Sequence, residues 1–240
     1  IGLFFLIPLI YFYFSKKIRN EYLNICFLIF VLIIFQGVIG WFMVQSGLVN
    51  DITVSHYRLS IHLATAIIII SSIYWLIMNT YSKKNKFFFI ISMQNLPFQM
   101  LILLILFQII MGAFVSGLDA GKIYQTWPLM GTSYVPNDYS FINFQSLLKL
   151  DEHSLVQFYH RNLAYLIIIY VIFLAIFIYK KKMQNLYFSL KILIIFLFFQ
   201  VILGIFTLVT GLNIYLASAH QITSVLLVFS ALNLYYFRVK

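Results

Sequence analysis

The sequence predicts an all-α, polytopic membrane protein, and three observations lead to this fold class. Hydrophobic residues make up 63% of the 240 residues and charged residues only 9%, whereas soluble domains have roughly 45–50% apolar and about 25% charged residues. The mean hydropathy of +0.98 is too high for a disordered chain. The apolar runs are too long for the alternating strands of a β-barrel. A soluble globular protein is therefore excluded.

Seven apolar windows give the predicted helices. About 20 apolar residues cross the hydrocarbon core of a bilayer, and every window except the first reaches about that length. The windows cover residues 1–14, 22–44, 59–80, 96–116, 155–179, 187–210 and 215–237. The first window starts at Ile1 without a preceding Met or basic stretch, so we interpret it as the end of a truncated span rather than as a signal peptide.

Clusters of Lys and Arg predict the orientation of these spans. They occur in every second connection, beginning at Lys16, Lys83 and Lys180, and again in the tail at Arg238. Positively charged loops stay on the cytoplasmic or matrix side, so the long connection 117–154 is expected on the outer side. The net charge of +10 thus indicates membrane topology rather than a nucleic-acid partner.

An internal repeat predicts two tandem four-helix bundles, of which the first lacks its first helix. Each copy ends an inward-to-outward span and precedes a histidine, His62 or His220, near the start of the next span. We expect an N-terminal half at 1–86 and a C-terminal bundle at 87–240. The two copies share six identities: Phe35-Gln36-x-x-x-Gly40-x-Phe42-x-x-x-x-Gly47-Leu48 and Phe199-Gln200-x-x-x-Gly204-x-Phe206-x-x-x-x-Gly211-Leu212.

Three histidines are candidate ligands of a metal or cofactor. His62, His160 and His220 each lie within about two turns of the outer end of a different span. Ionisable residues at membrane depth are functional candidates by default, although a single imidazole can also be a hydrogen-bonded core residue. His56 and His153 are expected in outer loops, as solvated side chains.

The surroundings of these histidines favour haem. Zinc and copper sites usually include carboxylates or thiolates, and no acidic residue or cysteine shares their spans. A haem between helices needs facing imidazoles, apolar walls and bases for its propionates. We expect His160 and His220 to form such a pair, and His62 to pair with a histidine of the missing span. Arg58 and Arg161 are expected to bind propionates, unless they only snorkel to the interface.

The outer loop is predicted to fold back as a lid at the outer mouth of the bundle. Residues 116–136 are punctuated by Gly and Pro and carry an aromatic face. Asp119, Tyr124 and Trp127 are expected over the mouth. The alternative is a plain aromatic belt at the membrane interface.

Five motifs cover essentially the whole chain and occur in one order. They are Gly40-Trp41-Phe-Met43-Val-x-Ser46-Gly47-Leu48; Val54-Ser55-x-Tyr57-Arg58-Leu59-x-x-His62-Leu63; Gly117-Leu-Asp119-Ala-Gly121 with Tyr124-x-Thr-Trp127-Pro128-x-Met130; Val156-Gln157-Phe158-x-His160-Arg161; and His220-Gln221. At these residues the chain resembles the heme A synthase family, which converts heme O into heme A for cytochrome oxidase. Without a cysteine pair in the first outer loop, it resembles the alphaproteobacterial and mitochondrial branch.

The resemblance implies an oxidoreductase of eight spans in two four-helix halves. It implies that His160 and His220 ligate the iron of a resident heme b, and that His62 is the catalytic residue that ligates the iron of heme O. A methyl group of heme O would be oxidised through an alcohol to a formyl group. The family's first span, with its Glu-containing His-Arg motif, is absent from this sequence, so this chain alone is expected to have an incomplete first-half site.

The resemblance also implies partners and a location. The partners would be heme O, an unidentified electron donor, heme O synthase, cytochrome oxidase assembly factors and the lipid bilayer, with no nucleic acid. The location would be the bacterial inner membrane or the mitochondrial inner membrane, with the haem sites toward the outer face. The alternative function is a bis-histidine b-type membrane cytochrome, which would need haems near opposite faces, whereas the three histidines map to one face.

Overall fold

The computed structural model describes residues 2–47, 53–88, 90–138 and 146–239, and all regular secondary structure in these ranges is helical. Leu48 of the repeat and residues 139–145 of the outer loop lie outside the described residues. The α-helices are α1 (Gly2–Phe14), α2 (Asn20–Val44), α3 (His56–Ser82), α4 (Leu96–Gly117), α5 (His153–Lys180), α6 (Tyr187–Val209) and α7 (Ile214–Arg238). Each predicted window coincides with one helix, and the predicted fold class is confirmed.

Six of these helices, α2 to α7, are long and apolar enough to cross a membrane, whereas α1 has only 13 residues. Helices satisfy their own backbone hydrogen bonds, which is the requirement for a chain inside lipid. Large apolar side chains such as Phe27 on α2 and Phe198 on α6 are more than half exposed, as a lipid-facing surface requires. The protein is a multi-pass membrane protein.

The chain divides into two compact units, residues 1–90 and 91–240. The sequence placed this boundary at residue 86. In the first unit, α2 packs against both α1 and α3. The end of α3 is tied to the following segment by the buried Asn79 side chain, which donates to the Lys86 carbonyl and accepts from its N–H, both at 3.1 Å.

The second unit is a four-helix bundle closed into a ring. Helix α4 packs on α5, α5 on α6, α6 on α7, and α7 on α4. The end of this bundle that contains the start of α6 and the end of α7 is tightly packed, with Leu190, Leu193, Leu232 and Tyr235 fully buried.

The opposite end of the bundle, where α4 and α6 end and α5 and α7 begin, is called here the histidine end. Along α6 and α7 this end is less enclosed than the opposite end: over residues 194–226, all of which are described, no residue is buried as a whole. The side chains of this stretch therefore remain partly accessible, in contrast to the close-packed side chains of the other end.

Candidate haem-binding site

His160 is held by two residues of the preceding helix. The Gln108 amide nitrogen on α4 lies 3.2 and 3.3 Å from the two ring nitrogens of His160, and it donates to the His160 carbonyl at 3.1 Å. One turn further along α4, a Cβ at Gly112 would lie 3.2 Å from the ring carbon Cε1. The glycine therefore lets the imidazole approach the helix backbone closely.

His220 has the same surroundings in the other hairpin of this bundle. The Gln200 amide nitrogen on α6 lies 3.3 Å from Nε2 of His220. A Cβ at Gly204 would lie only 2.9 Å from its Cε1. The Nδ1 atom of His220 is buried and has no hydrogen-bond partner among the described residues.

His62 in the first unit repeats the arrangement again. The Gln36 amide nitrogen on α2 lies 3.2 and 3.3 Å from the two ring nitrogens and donates to the His62 carbonyl at 3.0 Å. A Cβ at Gly40 would lie 3.0 Å from Cε1 of His62. A glutamine and a glycine of the preceding helix thus contact each of the three candidate histidines.

The sequence contains a third copy of the repeat, and a comparison of the two halves of the chain does not reveal it. Phe107-Gln108-x-x-x-Gly112-x-Phe114 has the same spacing as the other copies, but its following Gly117-Leu118 comes two residues early. The repeating unit is therefore a helical hairpin, found as α2–α3, α4–α5 and α6–α7. Each histidine sits at an equivalent depth, as the seventh residue of α3 and α7 and the eighth of α5.

His160 and His220 belong to non-sequential helices of the same ring. They lie at similar depths, roughly 9 to 10 Å along α5 and α7 from the start of each helix at 1.5 Å per residue. Two imidazoles on different helices at one depth are the arrangement that a planar haem requires.

Arg161 holds the outer loop against α5. Its guanidinium donates to the carbonyls of Thr126 at 2.9 Å, Leu129 at 3.2 Å and Tyr124 at 2.9 Å. Its Nε–H is buried and has no partner among the described residues. Since a guanidinium carries five N–H donors, Arg161 keeps donors for an anionic group besides the loop.

Arg58 in the first unit also binds a backbone carbonyl. It donates to the Phe42 carbonyl at 2.7 Å, and its guanidinium lies 3.8 Å from the centre of the Phe42 ring. It therefore ties the start of α3 to the end of α2, four residues before His62 on the same helix face.

The outer loop contacts α5 through Trp127 and Tyr124, and its position over the mouth of the bundle stays a prediction. The indole of Trp127 donates to the Tyr165 hydroxyl at 3.1 Å, and the Gln157 amide donates to the Tyr124 carbonyl at 2.9 Å. Asp119 is instead exposed and paired with Lys122.

A carboxylate anchors the far end of this loop. The Tyr124 hydroxyl donates to Asp138 at 2.5 Å, and the Ser154 hydroxyl donates to the other oxygen of the same carboxylate. Desolvation would raise the pKa of Asp138, but the hydrogen bonds from Ser154 and Tyr124 outweigh it and lower the pKa. The same bond to Asp138 raises the pKa of Tyr124.

His56 and His153 are not in loops, which corrects the sequence prediction. They are the first residues of α3 and α5. Apolar windows cannot mark such helix starts, because the first turn is polar here. In the part of the chain that the structure describes, no three His, Cys, Asp or Glu residues come together as a metal-ion site.

Comparison with known proteins gives the family. The profile of the COX15-CtaA family, described as cytochrome oxidase assembly protein, matches residues 1–232. The chain belongs to the COX15-CtaA family. Among the proteins it resembles are those named heme A synthase from Pelagibacter ubique, 42% identical over 96% of this chain and 67% of the relative, and from Flavobacterium johnsoniae, 36% identical over 92% and 66%. Another, from Rickettsia felis, is 36% identical over 94% of this chain and 67% of the relative.

The chain spans about two thirds of the length of these COX15-CtaA relatives. The haem that the family implies is compatible with the second unit of this COX15-CtaA protein. The two imidazoles at one depth and the unpartnered Nδ1 of His220 are the observations that fit it.

Proposed function

We propose that this chain is a heme A synthase, which oxidises a methyl group of heme O to a formyl group for cytochrome oxidase. Membership in the COX15-CtaA family and relatives named heme A synthase support the activity. The observation that carries the assignment to residues is the threefold Gln, Gly and His arrangement, which gives one histidine to the first unit and two to the second.

His160 and His220 are the proposed ligands of a heme b in the second unit. When bound, this group supplies one-electron transfer. The residues of the chain provide the neutral imidazoles at one depth and the apolar walls of α6 and α7. The free Nε–H and remaining Nη2 donor of Arg161 are suited to one carboxylate, since Arg binds carboxylates as a two-pronged fork.

His62 is the proposed catalytic residue, as ligand of the heme O iron in a separate site of the first unit. Its partners, Gln36 and Gly40, all lie in that unit. Arg58, four residues earlier on α3, is the proposed base for a heme O propionate. The residues would fix the substrate so that one methyl group reacts.

The proposed partners follow from this chemistry. Heme O is a lipid-like substrate, so it would reach the site through the bilayer. An electron donor, heme O synthase and assembly factors of cytochrome oxidase complete the set. The proposed location is the bacterial or mitochondrial inner membrane, with the histidine ends toward the outer face, because the basic connections lie at the opposite ends of the helices.

The decisive experiment is the haem content of the purified protein after expression with a heme O synthase. We expect heme b together with heme O or heme A, separated by reverse-phase chromatography of the extracted haems. Heme b alone would indicate the alternative, a bis-histidine electron-transfer cytochrome. The absence of any haem would contradict both functions.

A further inference from the structure

The three glutamines share an unusual feature besides their contact with histidine. In Gln36, Gln108 and Gln200 the amide nitrogen faces the imidazole, while the amide oxygen Oε1 is buried and has no hydrogen-bond partner among the described residues. Buried polar atoms are normally satisfied. The Oε1 atom of Gln157 is also buried without a partner among the described residues, but only the other three lie beside a histidine in equivalent places, which indicates a shared function for these three.

A histidine that ligates iron creates a need for such an atom. A neutral imidazole binds the metal through one ring nitrogen and carries its proton on the other. In metal sites that N–H almost always donates to an acceptor, which fixes the tautomer and ring orientation and makes the ligand more basic. Inside an apolar bundle, an N–H without an acceptor would be costly.

We propose that Gln36, Gln108 and Gln200 are positioning residues whose amide oxygens accept the ring N–H of His62, His160 and His220 when the other ring nitrogen ligates a haem iron. A rotation of the carboxamide by 180° exchanges the positions of its NH2 group and its oxygen, so that the oxygen faces the same imidazole ring. The amide nitrogens of Gln36 and Gln108 now donate to the carbonyls of His62 and His160 at 3.0 and 3.1 Å. Because the turn would leave two oxygens facing each other there, the carboxamide must also shift away from that carbonyl, which in a helix already accepts an N–H from four residues on. This inference rests on the proposed haem ligation by these histidines.

The glycine of each copy completes the positioning. It lies four residues after the glutamine, so both are on the same helix face. A Cβ built on Gly40, Gly112 or Gly204 would lie only 2.9 to 3.2 Å from the Cε1 atom of the histidine that the glycine contacts. The ring is therefore held from one side by a hydrogen bond and by close contact with the backbone, which limits rotation about its axis.

The test compares Gln108→Leu and Gln200→Leu with Gln108→Glu and Gln200→Glu in the protein with its haem bound. The matched control is Gln99→Leu, also on α4, whose amide donates to the Tyr235 hydroxyl at 2.8 Å and not to a histidine. The readouts are haem content, the midpoint potential of the heme b and its low-temperature electron paramagnetic resonance spectrum, which reports the orientation of the axial imidazoles.

We expect the leucine variants to keep haem at a more positive midpoint potential, because an imidazole without an acceptor is a weaker donor to ferric iron. Their resonance g values should change, whereas the glutamate variants, whose carboxyl oxygen is at least as strong an acceptor, should keep haem at a potential equal to or more negative than that of the parent protein. If the leucine variants lose haem altogether, retention by the glutamate variants supports the proposal, and loss from both overturns it.

An unchanged potential and spectrum in Gln108→Leu and Gln200→Leu would overturn the inference, as would an equal shift in Gln99→Leu. Failure of the proposed function is a different result. It would appear as an unmodified protein without haem, or as haem that remains bound when both His160 and His220 are replaced by Ala.

Discussion

The indole N–H of Trp127 lies 3.1 Å from the hydroxyl oxygen of Tyr165, so the outer loop is fastened to α5 five residues beyond His160. The loop thus has a fixed position on the helix that carries the candidate iron ligand. At 46% exposure, Trp127 covers α5 without being part of the core.

Replacing Trp127 by Ala should leave the His160 and His220 haem spectrum intact and lower heme A formation. One hydrogen bond contributes about 0.5–1.5 kcal/mol, so we expect a decrease of roughly two- to tenfold. The measurement is heme A per heme b in the protein expressed with a heme O synthase. Unchanged heme A output would make the loop a simple interfacial belt, and loss of the haem spectrum would make it a structural brace.

The three histidines should separate into two classes by substitution. His160→Ala and His220→Ala should each abolish the bis-histidine haem spectrum, because a single imidazole leaves one axial position of the iron open. His62→Ala should preserve that spectrum and abolish heme A formation. His153→Ala, at the exposed start of α5, is the control and should change neither. Loss of the second-unit haem in His62→Ala would contradict two separate sites.

Two glycines of α2 offer a matched pair. A Cβ at Gly40 would press on the His62 ring at 3.0 Å, whereas a Cβ at Gly37 would meet nothing within 4 Å. Gly37→Ala should be neutral or raise the melting temperature, since Ala favours helix over Gly by about 0.8–1 kcal/mol. Gly40→Ala should instead lower heme A formation by displacing His62. Equal effects of the two substitutions would show that the close approach is unimportant.

The anchor of the outer loop should depend on pH. Because the pKa of Asp138 is lowered in the folded loop, its contribution is present above the ordinary aspartate range and is lost as the pH falls through the folded value. Because the pKa of Tyr124 is raised, its contribution is present below the ordinary tyrosine range and is lost at higher pH. The protection of residues 120–138 from hydrogen exchange, measured relative to the intrinsic rate at each pH, should be greatest between these limits.

The control for this pH dependence is Asp138→Asn. It should exchange faster at neutral pH and lose the acid-dependent step, since the carboxylate that titrates is gone. An acid step of the same size in Asp138→Asn would assign it to another group.

The positions of the helices and histidines could be predicted because both depend on local sequence. Apolar length defines a span, and His62 and His220 follow the repeat at fixed distances. The glutamines could not be assigned a contact in this way, because a pattern does not tell which side chain of the next helix they meet. The third copy was also hidden, because Gly117-Leu118 is out of register with the other two copies.

The bonds of Arg161 illustrate what lies beyond sequence patterns. An arginine next to a candidate ligand suggests an anion partner, yet its guanidinium binds three carbonyls of a loop more than thirty residues earlier. Only the tertiary fold brings these carbonyls to α5. Its Nε–H has no partner among the described residues, so this donor is still available for the haem propionate that the sequence suggested.

The unequal packing of the second unit has a consequence for biogenesis. The end of the bundle that contains Leu193 and Leu232 is packed by fully buried side chains. Residues 194–226, in contrast, include no residue that is buried as a whole. One end of the bundle is thus held together by its own side chains, and a ligand that binds only the folded state would stabilise the bundle further by mass action. Haem supply would then set the lifetime of newly inserted chains, so a cell short of haem would lose this enzyme by degradation.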